Sequence, residues 1–266
     1  MNQDDIERIA QQIFDANRRR ETFRPLRGDD APDSMAVAYR IQDRVHELFE
    51  LRGGAGPLGG HKIALTSRAV QDLVGVNEPA YGGVFRNLVQ AAPATLKAAD
   101  FVRIGLEFEV AVKIAADVPA ADRPYDRETI ATFVAACAPA FEVIEDRNAD
   151  YDDLDAASIL TDRCWCAGVV HGAWVENWRA LDLASLPVSL RWNDEVVDRG
   201  VTGDSMDHPF EGLAWVANHL AAQGRQLAKD EIVITGSALK TRHVAIGDSI
   251  TYAIDGLGET TISIAP

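Results

Sequence analysis

Cysteine is scarce in this chain: Cys137, Cys164 and Cys166 are the three among 266 residues. An odd number without a framework argues against a disulfide-stapled secreted fold and fits a reducing cytoplasm. Cys164-x-Cys166 has no second Cys or His pair at matching spacing, so the thiols read as ordinary buried side chains rather than half of a zinc site. Basic charge is short as well, with 26 Lys and Arg against 41 Asp and Glu and a formal charge of -15. Nucleic acid or an anionic membrane surface would be repelled, so neither is expected as a partner. A small acid could bind only where a metal ion or a few placed cations gather. No apolar run is long enough to span a bilayer, and the opening MNQDDIERIA carries acids where an export signal needs bases, which again suggests the cytoplasm. Also missing are a G-x-S-x-G elbow, a P-loop, an H-E-x-x-H helix, an internal repeat and a low-complexity linker.

Two formal motif matches fail on context. Gly54-x-Gly56-x-x-Gly59 has the dinucleotide spacing, yet it follows a helical pattern, contains Pro57 and leads into an extended segment. Asp146-x-Asn148-x-Asp150 opens like a calcium loop, but Tyr151 stands where the loop needs glycine and Ala157 where it needs glutamate.

What is present is a strand pattern from Phe101 to Ala116. Val102, Ile104, Leu106, Phe108, Val110, Val112 and Ile114 alternate with a row that holds Arg103, Glu107, Glu109 and Lys113. Glu107 and Glu109 therefore point the same way, with Cα atoms about 6.6 Å apart at strand rise. Two such neighbours repel unless a positive charge sits between them. A hard divalent cation with a preference for oxygen is one candidate, and ion pairing of a solvated face with Arg103 and Lys113 is the other.

Around this strand, Ile6, Ile9, Ala10, Ile13 and Phe14 have helical spacing, and a second helix after Asp33 or Ser34 turns Ala38, Ile41, Val45, Leu48 and Phe49 inward until Gly53 and Gly54 stop it. Gly60 to Thr66 is extended, Ser67 caps a helix over 68–74, and residues 77–83 read as a loop. A helix is predicted over 127–138, ended by Pro139, and then a short strand at 141–144. Strands are predicted at 166–175, 188–192, 232–235 and 249–264, with one helix at 209–223. The expectation is an α+β protein: a small helical N-terminal region, residues 1–58, packed on a β-rich catalytic body, 59–266, as one continuous unit.

Several of these stretches together resemble a known family. They are GHKIALTS at Gly60 to Ser67, EPAYG at Glu78 to Gly82, LEFE at Leu106 to Glu109 and PAFEVIEDR at Pro139 to Arg147. WVAN, ITGS, GD and GLG come after them, between Trp215 and Gly258. The pattern is similar to the 2-oxopent-4-enoate hydratase and 4-oxalocrotonate decarboxylase family of the fumarylacetoacetate hydrolase superfamily. The resemblance implies that superfamily's mixed β-roll, a Mg²⁺ or Mn²⁺ ion held by Glu107, Glu109 and Glu142, and Lys62 as the active-site lysine. It also implies that Ala80 and Tyr81 of the EPAYG loop and the turn Thr235, Gly236 and Ser237 meet the substrate, and that the chain forms a homo-oligomer, with a pathway enzyme as a possible partner.

The implied substrate is a small anionic 2-oxo- or 2-hydroxy-enoate that chelates the ion through its carboxylate and C2 oxygen. Hydration of a 2-hydroxypenta-2,4-dienoate to a 4-hydroxy-2-oxoacid in aromatic catabolism is the first expectation, and decarboxylation of a 2-oxo-enedioate the second. A C–C hydrolase or oxaloacetate decarboxylase would need a water-activating group such as His46 or Glu47, and a non-catalytic scaffold could show the same acids on strands. Two residues depart from the family pattern: Arg163 replaces an amide, and Ala80 replaces an aspartate of the hydratases.

Overall fold

The computed structural model describes all of residues 1–266. At the N-terminus, helix α1 (Gln3–Arg18) is capped by the Asn2 side chain, and α2 (Met35–Arg52) by Ser34. The faces expected to turn inward do so: Ile6, Ile9, Ile13 and Phe14 pack on Ile41, Val45 and Leu48 as a small core of their own. Buried Gln42 ties α2 to the body, donating to the carbonyls of Tyr81 (3.0 Å) and Leu160 (2.7 Å).

The body begins with β1 (Leu58–Ala64), α3 (Arg68–Val74), β2 (Ala80–Phe85), β3 (Val89–Ala91), β4 (Ala94–Lys97) and β5 (Ile104–Ile114). A helical turn, α4 (Arg127–Ile130), precedes β6 (Val134–Glu145), and α5 (Ala156–Thr161) precedes β7 (Cys166–His171). The chain then forms β8 (Pro187–Trp192), β9 (Glu195–Val201), α6 (Pro209–Ala222), β10 (Ile232–Ser237), β11 (Arg242–His243), β12 (Ser249–Ile254) and β13 (Gly258–Ala265). One sheet runs β2-β1-β10-β5-β6-β7-β3, with β11 also paired to β5, and the second runs β4-β13-β12-β8-β9. This is the α+β architecture expected, and no helix is long and apolar enough to cross a membrane. All three cysteines are free and buried.

Three segments differ from their sequence reading. Residues 127–138 are helical only as far as Phe133, and the strand β6 starts at Val134 and runs through Pro139. The i, i+3, i+4, i+7 spacing of Ile130, Phe133, Val134 and Cys137 is that of a helix, but a strand buried on both faces has no alternation to set against it. Pro139 is tolerated where β7 has already ended at His171; its carbonyl still accepts the Gly172 N–H at 2.8 Å. Ala80 to Gly83, read as loop, are the first residues of β2, and 249–264 is two strands joined by the turn at Gly256 and Leu257.

The central pair is β5 and β6, antiparallel, with Phe108 opposite Phe141 and Glu107 opposite Glu142. One face of the pair sends Phe108 and Phe141 against Tyr252 of β12, joining the two sheets with ring centroids 5.7 and 6.3 Å from the tyrosine. Replacing fully buried Phe108 by alanine is expected to cost about 3–5 kcal/mol, read as a lower urea midpoint at unchanged slope.

The other face turns inward because the large sheet curls. β1 and β6 are three strand spacings apart, roughly 14 Å in a flat sheet, yet the Lys62 Nζ on β1 lies 3.1 Å from the Glu142 Oε1 on β6. Curling also brings β2 into contact with β7.

Candidate active site

Period-two alternation puts Glu107 and Glu109 of β5 on the inward face, and pairing adds Glu142 of β6 beside Glu107. Ligand oxygens of the three carboxylates lie within 4.8 Å of one another. Glu109 and Glu142 are both 0% exposed, and Lys62 is 3% exposed. So the structure brings together the three glutamates and the lysine named from the sequence. Glu142 pairs with neither Arg103 nor Arg147, which go instead to Asp146 and Asp162.

Backbone and hydroxyl donors hold two of the carboxylates, and Lys62 pairs with the third. The Glu109 Oε2 accepts the Gly236 N–H at 2.6 Å, and the Glu107 Oε1 accepts the Thr241 hydroxyl at 2.7 Å. Glu109 Oε1 and Glu142 Oε2 are buried without a hydrogen-bond partner. Burial pushes the Glu142 carboxyl up to about 8 against the pull of Lys62, and burial with the charges of Glu142 and Glu107 raises Glu109 well above the carboxylate range. For Lys62, burial opposes the charge, but Glu142 and Glu107 outweigh it and keep the ammonium protonated.

Three acids share one ammonium, and the raised Glu109 and Glu142 carboxyls show that Lys62 alone does not support the charge of all three. Three converging acids, two of them with buried unpartnered oxygens, fit a hard divalent cation, which prefers oxygen ligands. A solvated, self-paired strand face, the alternative left open by the sequence, does not describe fully buried Glu109.

A cavity of ≈ 190 Å³ opens beside this cluster. Lys62 and Glu107 stand at its charged end with Ser237 and Thr241. Beyond them the wall is mostly apolar, built from β1, α3, α5 and the turn at Cys164 and Trp165. That turn holds three successive left-handed residues, Arg163, Cys164 and Trp165, with φ of 58°, 49° and 61°. Left-handed backbone is unfavourable for side chains of this size, and packing holds it: the Arg163 guanidinium lies 4.0 Å from the Phe49 ring centroid and donates to the Cys166 carbonyl and to Asn17. The departure at Arg163 therefore ties both N-terminal helices to the cavity wall.

The remaining candidates divide. Ala80 is fully buried on the same face of β2 as the residues opposite Lys62 and Ala64, beside the cavity but not lining it. Tyr81 faces the other way. Its ring stacks on Tyr39 and its hydroxyl donates to Gln223, a structural position away from the cluster. Of the Thr235, Gly236, Ser237 stretch, only Ser237 lines the cavity. Thr235 donates its hydroxyl to the Val110 carbonyl, and the Gly236 N–H is spent on Glu109. Gly236 is required there, since φ is +101° and a Cβ would meet the Ser205 hydroxyl at 2.3 Å. His46 is buried and accepts the Gly83 N–H at 3.3 Å, so it offers no water-activating group to the cavity.

The profile of the fumarylacetoacetate (FAA) hydrolase C-terminal family matches residues 81–265, a span that holds all three glutamates. The chain belongs to that family. Lys62 and Ala80 precede the matched span. Among curated relatives, 2-hydroxyhexa-2,4-dienoate hydratase of Comamonas testosteroni is 28% identical over 97% of this chain and 96% of its own. 2-Keto-4-pentenoate hydratase of Paraburkholderia phymatum is 29% identical over 98% and 97%, and 4-oxalocrotonate decarboxylase of Pseudomonas putida 26% over 98% and 97%. Among solved structures, 4-oxalocrotonate decarboxylase from Pseudomonas putida G7, complexed with magnesium and adipate, superposes with a TM-score of 0.91 at 24% identity, covering 99% of this chain and 98% of that one. The likeness in fold takes in the N-terminal helices as well.

Thr241, Tyr151 and the α3 and α5 contributions to the wall were not foreseen. No local pattern points them at the cluster; the tertiary fold brings them there.

Proposed function

We propose that this protein is a divalent-metal-dependent hydro-lyase, with Mg²⁺ or Mn²⁺ as the ion, that adds water to a 2-hydroxy-2,4-dienoate and yields a 4-hydroxy-2-oxoacid. The observation that carries the choice of hydration is that Lys62 is the single Lys or Arg lining this mostly apolar cavity, the next ones, Arg199, Lys240 and Arg242, lying in the adjoining cleft beyond Ser237 and Thr241. A monoacid places its one carboxylate at the metal and Lys62 end, whereas an enedioate would carry its second carboxylate into an apolar wall, where an unpaired charge is costly. The relatives named as 2-hydroxydienoate and 2-keto-4-pentenoate hydratases support the same reading.

Bound at Glu107, Glu109 and Glu142, the cation would supply Lewis-acid stabilisation of the negative charge that develops on the 2-oxoacid. The chain's own groups do the rest. Lys62, kept protonated by Glu142 and Glu107, presents an ammonium to the C2 oxygen and can deliver a proton along the conjugated chain. Thr241 fixes the Glu107 carboxylate, and Gly236 fixes Glu109, so the acids need not reorganise when substrate arrives. The apolar part of the wall offers the reacting carbons no competing polar partner beyond the charged end.

Decarboxylation is the second reading, and Ala80 favours it. Hydration gains from a base near the attacking water, yet the cavity lining holds no histidine, its one carboxylate is Glu107, and burial pushes the Cys164 thiol up to about 12. An alanine at position 80 cannot help. Restoring an aspartate there, Ala80→Asp, is expected to raise hydration by at least about 10²-fold, the lower end of general-base assistance, with loss of dienol absorbance and no CO₂. A wild type that releases CO₂ from 2-oxo-enedioates faster than it hydrates dienoates would replace the hydratase reading by the decarboxylase one.

A further inference from the structure

The apolar part of the cavity asks for more than a five-carbon acid supplies. Its wall past Lys62 and Glu107 includes Val70, Leu73 and Val74 of α3, Ile144 of β6, and Leu154 and Ile159 at α5. The pocket is ≈ 190 Å³ and open to solvent past Val70 and Leu73, room for several carbons. Glu109 and Glu142 lie outside the lining, so the carboxylate and C2 oxygen of a substrate held at the cluster leave most of the apolar space to the carbons beyond C4.

We infer that this space binds an apolar substituent on the far end of the chain, so that the preferred substrate is a 2-hydroxydienoate bearing an alkyl or aryl tail, rather than the bare five-carbon acid or a diacid. The inference rests on the reading of the cluster as a site for 2-oxoacids. Its specificity-determining residues are Leu73, Leu154 and Ile159. Leu73 lines the cavity and is 59% exposed, so a seated tail would cover apolar surface that α3 otherwise leaves to water.

Binding can be measured apart from turnover by calorimetry of the intact protein with Mg²⁺ and saturated 2-oxoacids. Each buried methylene is worth about fourfold in affinity, so 2-oxohexanoate should bind about 15-fold tighter than 2-oxobutanoate, and 2-oxoadipate no tighter than 2-oxobutanoate. Leu73→Arg, a change at an already exposed side chain, should cancel the gain from the apolar tail and make the diacid the better ligand. Leu154→Arg should do the same from the opposite wall. Equal affinity for the two monoacids, a diacid that matches 2-oxohexanoate, or an unchanged ranking in Leu73→Arg would overturn the tail pocket. Chain-length-dependent binding without turnover of any 2-hydroxydienoate would remove the proposed reaction and keep the pocket, and absence of 2-oxoacid binding altogether would overturn both.

Discussion

Lys62→Met is expected to lower turnover by about 10²- to 10⁴-fold, the range of a positioned proton carrier, while affinity for the divalent cation holds or rises. The two effects part because of where the ammonium sits. It lies 3.1 Å from Glu142 and adds positive charge beside a site built for a cation, so removing it relieves repulsion of the ion. For the substrate the loss is direct, since no other Lys or Arg lines the cavity. Stability supplies an independent readout. Breaking a buried ion pair by deleting one partner costs about 3–5 kcal/mol, so the metal-free variant should melt below the wild type and recover more when Mg²⁺ is added. Turnover, pH–rate profile and melting temperature all at wild-type values would make Lys62 a bystander.

How far the sequence foretold this site depends on strand geometry. Glu107 and Glu109 were legible because alternation along one strand is local, and β5 keeps it over its whole length. The full burial of Glu109 was not, since the same alternation describes a face open to water. What closes that face is the curl that carries Lys62 from β1 across to β6, a long-range property with no local pattern. Glu142 and Lys62 were therefore named from family resemblance, and the distance between them came only with the fold. Local signals did well where one cap or one apolar stripe decides: Ser34 starts α2, Ser67 caps α3, and Ile6 to Phe14 form the inward stripe of α1. They failed at β6, where two buried faces and small residues erase the period, and at Tyr81, where a family position is a strand residue whose side chain goes to the opposite face.

The buried carboxylates lead to the most severe expected loss. Glu109→Gln should abolish nearly all turnover and the stabilisation by Mg²⁺, yet leave the metal-free protein at least as stable as the wild type. Glutamine keeps the shape and can still accept the Gly236 N–H through its amide oxygen, so the backbone contact at 2.6 Å in the wild type need not be lost. It removes an acid whose ionisation is opposed by burial and by Glu142 and Glu107, and which is unpartnered at Oε1. A neutral group at that position costs the metal-free fold less than an ionised one. The wild type gains stability from a bound ion as RT ln(1 + [L]/Kd), about 2.7 kcal/mol at a hundredfold excess over Kd. With one anionic ligand of three missing, the variant should show little of that gain at the same Mg²⁺ concentration. Melting curves with and without Mg²⁺, run beside turnover, test both halves. A variant that still melts higher with Mg²⁺ and still turns over at the wild-type rate would place the cation outside the Glu107, Glu109 and Glu142 cluster. A metal-free variant far less stable than the wild type would mean that the Glu109 carboxylate is held by interactions stronger than the repulsion around it.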